Sequence, residues 1–324
     1  MRRTLADLLA ILRCARLGIS LSHALAFVRS GASDTVQAFE RVVTPLLERT
    51  VADPTERAYA RDALLFASVK GSFLIHSYAR MVGQPFPAEI SALGGSFARL
   101  YDDLIDDIGG LRLEERLADL FHGRPFTARN DLERLLAALY HAIDERLNRP
   151  ATDPIYTALH ALHEYQTLSR QQRDATISGD SLTKITAGKG SYANVALLGL
   201  VPHPMDTREW DLVMDLGEIL QLLDDYVDVH VDLANGVTTP VIRGEATLGH
   251  MIQRLRDFAP RVLAHFGERG RPFVTVVYIM FIAAFAKRHR PRLSRIRHLR
   301  PGRARSPLGI LFRHGDGVRP RQTW

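Results

Sequence analysis

The chain has 324 residues, 46% hydrophobic and 24% charged, with a mean hydropathy of −0.07, which is the composition of a folded globular protein and excludes a disordered or fibrous one. Cys14 is the only cysteine, so a disulfide framework and dithiol chemistry are excluded and a reducing compartment, the cytoplasm, is expected. The net charge of +6 is concentrated at one end: Lys287 to Trp324 holds 12 Lys or Arg and one acid, Asp316, which leaves the first 286 residues at −5.

The N-terminus opens on Arg2 and Arg3, but Asp7, Arg13 and Arg16 interrupt the apolar stretch that a secretory signal would keep continuous. Leu5, Leu8, Leu9 and Leu12 follow helical spacing, as do Leu132, Leu135, Leu136, Leu139 and Ile143, and no sustained alternation marks a strand. Breaks are predicted at Gly31 to Asp34, Asp53-Pro54, Gly83 to Pro87, Gly109-Gly110, Gly123 to Pro125, Arg149 to Pro154, Pro202 to Pro204 and Asn235 to Pro240. The apolar run Phe273 to Ala286, 14 residues interrupted only by Thr275, is shorter than the ~20 a membrane-spanning helix needs and reads as a buried helix. The expectation is an all-α, single-domain helical bundle over residues 1–286, followed by a basic, flexible tail over 287–324. That tail suits peripheral contact with anionic membrane headgroups; without aromatic interleaving or a zinc-finger pattern, nucleic acid is disfavoured.

Two acidic clusters stand out. In Leu100-Tyr-Asp-Asp-Leu-Ile-Asp-Asp-Ile108, helical spacing pairs Asp102 with Asp106 and Asp103 with Asp107 at one helix end, where like charges repel and carboxylates oppose the macrodipole. A local cost of this kind points to function. The second cluster, Asp224-Asp225-x-x-Asp228, has the same spacing; Asp224, Asp228 and Asp232 share one stripe of a helix made apolar by Ile219, Leu220, Leu222, Leu223 and Val227. Oxygen-only carboxylate clusters suit Mg²⁺, which keeps several waters and bridges protein carboxylates to substrate phosphates. His230 falls on another side of that helix and is not counted as a ligand. The other histidines show no zinc-type spacing. Gln166, Arg170 and Arg173 share a face read as solvated, while Gly188, Gly190 and Gly217 imply a helix break or a close helix crossing.

These residues resemble the class I isoprenoid synthase superfamily, most closely its trans-prenyl-diphosphate-synthase-like branch. The resemblance rests on the two aspartate motifs, on Gln221 three residues before the second, on the following Asp232-Leu-Ala-Asn-Gly236-Val-Thr-Thr-Pro240, and on Lys184 forty residues upstream, with Thr186 displaced by one from the usual Lys-Thr pair. It covers roughly residues 60 to 245. It implies a helical bundle around a central cavity, in which Asp102, Asp103, Asp106, Asp224, Asp225 and Asp228 hold Mg²⁺, three ions in all, and clamp a prenyl diphosphate. Lys184, Lys189, Gln221, Arg112 and Lys70 are the implied substrate-binding residues. Phe73, Phe97, Tyr101 and Tyr192 are candidates to line the cavity, and a homodimer is the implied assembly.

Chain-elongating members carry a Gly-Lys-Arg type loop and an arginine pair after the first motif; here Lys70-Gly71 and Arg112 are the nearest equivalents. Terpene cyclases carry an Asn, Ser or Thr, and Glu triad that this chain replaces with aspartates. The resemblance therefore implies ionisation of an allylic diphosphate followed by cyclisation or rearrangement, with condensation of two isoprenoid diphosphates, or a non-catalytic prenyl-diphosphate-binding subunit, as the alternatives.

Overall fold

The computed structural model describes residues 2–15, 21–105 and 112–294; among these the chain forms only helices. In order they are α1 (Arg2–Ala15), α2 (Leu21–Val42), α3 (Thr44–Thr50), α4 (Pro54–Val82), α5 (Ala88–Asp103), α6 (Leu113–Phe121), α7 (Asp131–Leu147), α8 (Pro154–Leu168), α9 (Gly179–Leu198), α10 (Thr207–Ala234), α11 (Pro240–Arg243), α12 (Leu248–Phe266) and α13 (Gly270–Ser294). The all-α expectation holds.

Local chemistry sets most boundaries. Asp53 accepts a hydrogen bond from the Glu56 amide at 2.7 Å with Pro54 at the first helical position, and Gly83 closes α4 in the left-handed region at φ 76°. Asn130, Ser178, Asp206, Thr239 and Thr247 cap α7, α9, α10, α11 and α12 in the same way. The break expected at Gly31 to Asp34 is absent, because α2 runs through it. A Cβ on Gly31 would sit 2.7 Å from His76 Nδ1, so this glycine serves a close approach of α2 to α4 rather than a helix end. The Gly109-Gly110 break lies outside the described residues.

The core is continuous from α1 to α13. Within it α10 packs on α9, α12 and α13, and α4 packs on α5, α2 and α13. One polar anchor ties this interior together. Glu209, only 2% exposed, accepts from the Tyr78 hydroxyl of α4 and pairs with His203 Nε2 at 2.9 Å, and burial together with the Glu209 carboxylate pushes the Tyr78 phenol upward so that it stays a donor.

The tightest helix contact is between α9 and α10. A Cβ on Gly190 would lie 2.4 Å from Gly217 O, and one on Gly217 would lie 2.3 Å from Gly190 O, so the backbones touch where neither residue has a side chain. Ser191 Oγ donates to Met214 O at 2.8 Å and Asn194 Nδ2 to Val213 O at 2.7 Å, which locks an antiparallel register. Gly188 faces the Tyr165 ring. The three glycines therefore mark close packing.

Two features at the ends depart from expectation. Phe273, Val277 and Phe281 are buried as predicted, but α13 continues past residue 286 to Ser294, and His289 is 4% exposed, so the first residues assigned to the tail belong to the packed bundle. The stretch 248–289 would suffice to cross a bilayer by length and apolarity, yet it is two helices joined by the 3-10 turn Gly267–Arg269, half of its apolar window is buried, and His289 and Phe258 pack inside the protein. In α1 the usual pattern is inverted. Ala10 and Ile11, 7% exposed, face the bundle, whereas Leu8, Leu9 and Leu12 are 42%, 51% and 50% exposed.

Gly217→Ala is expected to destabilise the protein by about 1–3 kcal/mol through overpacking, seen as a lower thermal midpoint by circular dichroism. Gly71→Ala, where an added Cβ meets nothing within 4 Å in mid-helix, is expected to raise the midpoint.

Candidate functional site

The second aspartate cluster lies two to three turns beyond the Gly190–Gly217 crossing on α10, a 28-residue helix. Its three motif residues differ in surroundings because 100° per residue separates them around the axis. Asp225 points into the α9 side and is 7% exposed; Oδ1 accepts from Gln221 Nε2 at 2.9 Å, and the buried Oδ2 has no hydrogen-bond partner. Asp224 is exposed and Asp228 half-buried. The stripe that Asp224 and Asp228 share is thus the wetter one, and the buried carboxylate is its neighbour Asp225.

Burial pushes the Asp225 carboxyl up to about 7; the Gln221 hydrogen bond opposes this, the charges of Asp224 and Asp232 add to it, and the Lys189 ammonium offsets part of it. Asp228 is raised as well, chiefly by burial and then by Asp224, against the pull of Lys287 and Lys70.

Two lysines from distant helices meet the two outer carboxylates. Lys70 Nζ of α4 lies 3.9 Å from Asp224 Oδ1, and Lys287 Nζ of α13 lies 3.4 Å from Asp228 Oδ1. Lys287 escaped sequence reasoning because it opens the basic run and was assigned to the tail; its signal was its place directly after the buried stretch ending at Ala286. The antiparallel register carries Lys184 to about the level of Asp224 and Asp225, where it is exposed.

At the first cluster, Asp102 is exposed at the end of α5, and Asp103 is gripped by Arg99, one turn earlier, at 3.0 Å from Nε and 2.9 Å from the second guanidinium nitrogen. This two-pronged pair offsets the unfavourable placement of a carboxylate at a helix C-terminus. Sequence reasoning missed Arg99, although its i, i+4 spacing to Asp103 was visible. Asp106, with Asp107, lies outside the described residues. Arg112 is exposed at the start of α6, 3.9 Å from Glu115.

Lys70, Lys189, Gln221, Asp224, Asp225 and Asp228 are thus brought into one neighbourhood. Among the described residues, no three acidic or imidazole side chains converge as a closed metal site. The open Oδ2 of Asp225 and the all-oxygen character of the clusters nevertheless fit a hard cation better than any other ligand.

Three of the aromatic candidates, Phe73, Phe97 and Tyr101, are core, and Tyr192 is half-buried against it. Phe97 and Tyr101 pack with Phe121, Tyr140 and His163, and the Tyr101 hydroxyl pairs with His163 Nδ1 at 2.8 Å. Phe73 belongs to a small patch with Ala32, Val69 and Val276, and Tyr192 stacks on Tyr165 at 5.7 Å. Two concavities, of about 10 and 320 Å³, are lined by residues such as Tyr78, Leu216 and Phe258, and Glu89, Arg146 and Arg149; the aspartates line neither.

No protein-family model matches the chain, and no curated protein matches it by sequence. Among solved structures the chain shares the all-α isoprenoid synthase fold. It is similar to a geranyltransferase from Legionella pneumophila with a TM-score of 0.55 and 15% identity, over 81% of this chain and 98% of that one. A protein from Marinomonas sp. MED121, provisionally assigned as a farnesyl-diphosphate synthase, has a TM-score of 0.49 and 13% identity over 79% of this chain and 98% of its own.

Because the folded protein holds a proton on Asp225 up to about pH 7 and the unfolded chain releases it near 3.8, metal-free protein is expected to lose stability as pH rises through that window. Asp225→Asn should remove this loss: thermal midpoints measured with chelator present should match the parent near pH 4 and exceed it near pH 8.

Proposed function

We propose that this protein is a Mg²⁺-dependent, diphosphate-releasing isoprenoid synthase that ionises an allylic prenyl diphosphate. The observation that carries the reading is the second cluster: three carboxylates on one helix, one of them buried with an open oxygen, faced by ammonium groups from α4, α9 and α13. Ionising a carboxyl buried in this way is costly, which is why Asp225 keeps its proton up to about pH 7, and a divalent cation at the open oxygen would offset that cost. Asp224, Asp225 and Asp228, with Asp102, Asp103 and Asp106, would hold the ions. When bound, Mg²⁺ neutralises the charge that builds on the departing diphosphate.

The chain's own residues then have distinct tasks. Gln221 holds Asp225 Oδ1 and so aims Oδ2. Arg99 fixes the orientation of Asp103. Lys184 and Lys189 on α9 supply positive charge on the α9 side of the cluster, and Lys70 and Lys287, which neutralise Asp224 and Asp228 here, would turn to the diphosphate once a cation takes their place.

For the fate of the allylic cation we favour condensation with a second isoprenoid diphosphate. The geranyltransferase that shares the fold over nearly its whole length supports this, as does the position of Lys70, the remnant of the elongation loop, beside Asp224. Cyclisation is the second reading, supported by the missing arginine pair, since only Arg112 follows the first motif before Glu114.

Incubation with Mg²⁺ and geranyl, farnesyl or geranylgeranyl diphosphate, with and without isopentenyl diphosphate, is the test. A longer diphosphate formed only with isopentenyl diphosphate is the expected product; a hydrocarbon from one substrate alone would replace condensation by cyclisation, and no turnover of any substrate would sink the enzyme reading. Asp224→Ala and Asp102→Ala should each lower diphosphate release by at least about a hundredfold, as expected for loss of a metal-centred step, with the helical circular dichroism unchanged.

A further inference from the structure

The helices that carry the two aspartate clusters rest mainly on different neighbours: α5 packs on α2, α4 and α7, and α10 on α9, α11, α12 and α13. A polar chain on the α8 side nevertheless runs from one to the other. Tyr101, which adjoins Asp102, is buried; its hydroxyl pairs with His163 Nδ1 of α8 at 2.8 Å, and His163 Nε2 meets Glu114 O at the start of α6 at 2.9 Å. Burial lowers the His163 pKa and keeps the ring neutral. Because a carbonyl only accepts, Nε2 carries the proton and Nδ1 accepts from Tyr101. The Glu114 carboxylate, 17% exposed, in turn pairs with Arg170 at 2.5 Å. Arg170 sits in the 3-10 turn Ser169–Arg173 that extends α8. Two residues on, Gln172 closes the chain just past the end of α10 at Ala234: its carbonyl accepts the Thr238 amide at 2.7 Å, and its side-chain amide donates to Thr238 O at 3.3 Å. The Arg243 guanidinium donates to Ile177 O and fastens the same loop to α11.

We propose that the turn Ser169–Arg173 is a strut that fixes the gap between Asp102 and Asp103 at the end of α5 and the second cluster on α10, with Arg170 as its positioning residue. The contact to the α10 side includes a bond between main chains and would survive substitution, whereas the contact to α6 is an ion pair between side chains. Arg170 is 56% exposed, as its place on a solvated helix face implies, so the pair contributes little to stability. Its partner is nonetheless fixed, since His163 holds the Glu114 carbonyl and the carboxylate is largely buried. The pair therefore sets a distance more than it adds stability. Ions held by two separate helices and meeting one diphosphate tolerate little error in that distance, because ~1 Å of misplacement can cost about a hundredfold in rate. The consequence for turnover rests on the diphosphate-ionising reading of the site; the distance itself does not.

Two measurements test the strut in the full chain. With C14S, spin labels at A98C of α5 and L233C of α10, both exposed positions, should give one narrow distance distribution by pulsed electron resonance, and R170M should broaden it with the helical circular dichroism unchanged. This arm needs no turnover, so it separates failure of the strut from failure of the functional reading, and it decides alone if the parent turns over no prenyl diphosphate. In assays of diphosphate release, R170M should raise the Mg²⁺ concentration for half-maximal rate by about tenfold or more, and R170K should recover part of the loss. A contribution to folding alone would lower the rate without moving the Mg²⁺ dependence. R170M/E114Q should be no worse than R170M, as expected of two residues that act as a pair. An unchanged distance distribution in R170M, an unchanged Mg²⁺ dependence, or additive losses in R170M/E114Q would each overturn the proposal.

Discussion

The backbone contact between α9 and α10 at Gly190 and Gly217 is the constraint on which the rest of the site depends. It brings two helix axes as near as main chains allow, and side-chain hydrogen bonds to main-chain carbonyls from Ser191 and Asn194 fix which residues face each other. Everything displayed toward the α9–α10 seam follows from that register: Gln221 one turn past the crossing, Asp225 one turn past Gln221, and the lysines of α9 running back along the same stretch. A single methyl group at the crossing would push the helices apart and misalign acids and cations together.

The charges on this frame oppose one another by design of their positions. Asp224, Asp225 and Asp228 repel, and burial of Asp225 makes its ionised form costly enough to keep a proton near neutrality. Lys70 and Lys287 reduce the repulsion from α4 and α13, and exposed ion pairs of this kind contribute little to stability on their own. Their value lies in exchange: a flexible ammonium on a long stem yields its place to a divalent cation at small cost. At the first cluster the opposing charge is a rigid guanidinium one turn away on the same helix, which orients Asp103 more than it neutralises it.

Much of this was legible from the sequence. Helical periodicity is set by local spacing, so the all-α architecture and most of the turns at Pro, Gly and capping residues could be read directly. The paired aspartates were visible because they violate local electrostatic preference twice. What failed were matters of three-dimensional approach. Gly31 looks like a terminator until the His76 ring is seen against it; Phe97 and Tyr101 look like cavity walls until Phe121, Tyr140 and His163 close around them. Composition alone assigned Lys287 and His289 to a tail, although the helix that carries them is held by partners from α1 and α10. Periodicity likewise identifies an apolar stripe on α1 without saying which way it turns.

The knot of Asp7, Tyr226 and His289 also has a consequence for biosynthesis. Its members are separated by 219 residues between Asp7 and Tyr226 and by 282 between Asp7 and His289. α1 therefore gains its full set of polar partners only once α13 has been made, because His289 completes the contact that Tyr226 of α10 makes with Asp7. Contacts of such long range form late, after local helices and short hairpins of helices are in place. Tyr226 adjoins Asp225, so the end of α10 that carries the second aspartate cluster is braced late, and a chain stopped short of α13 would carry the motif without His289 and Lys287.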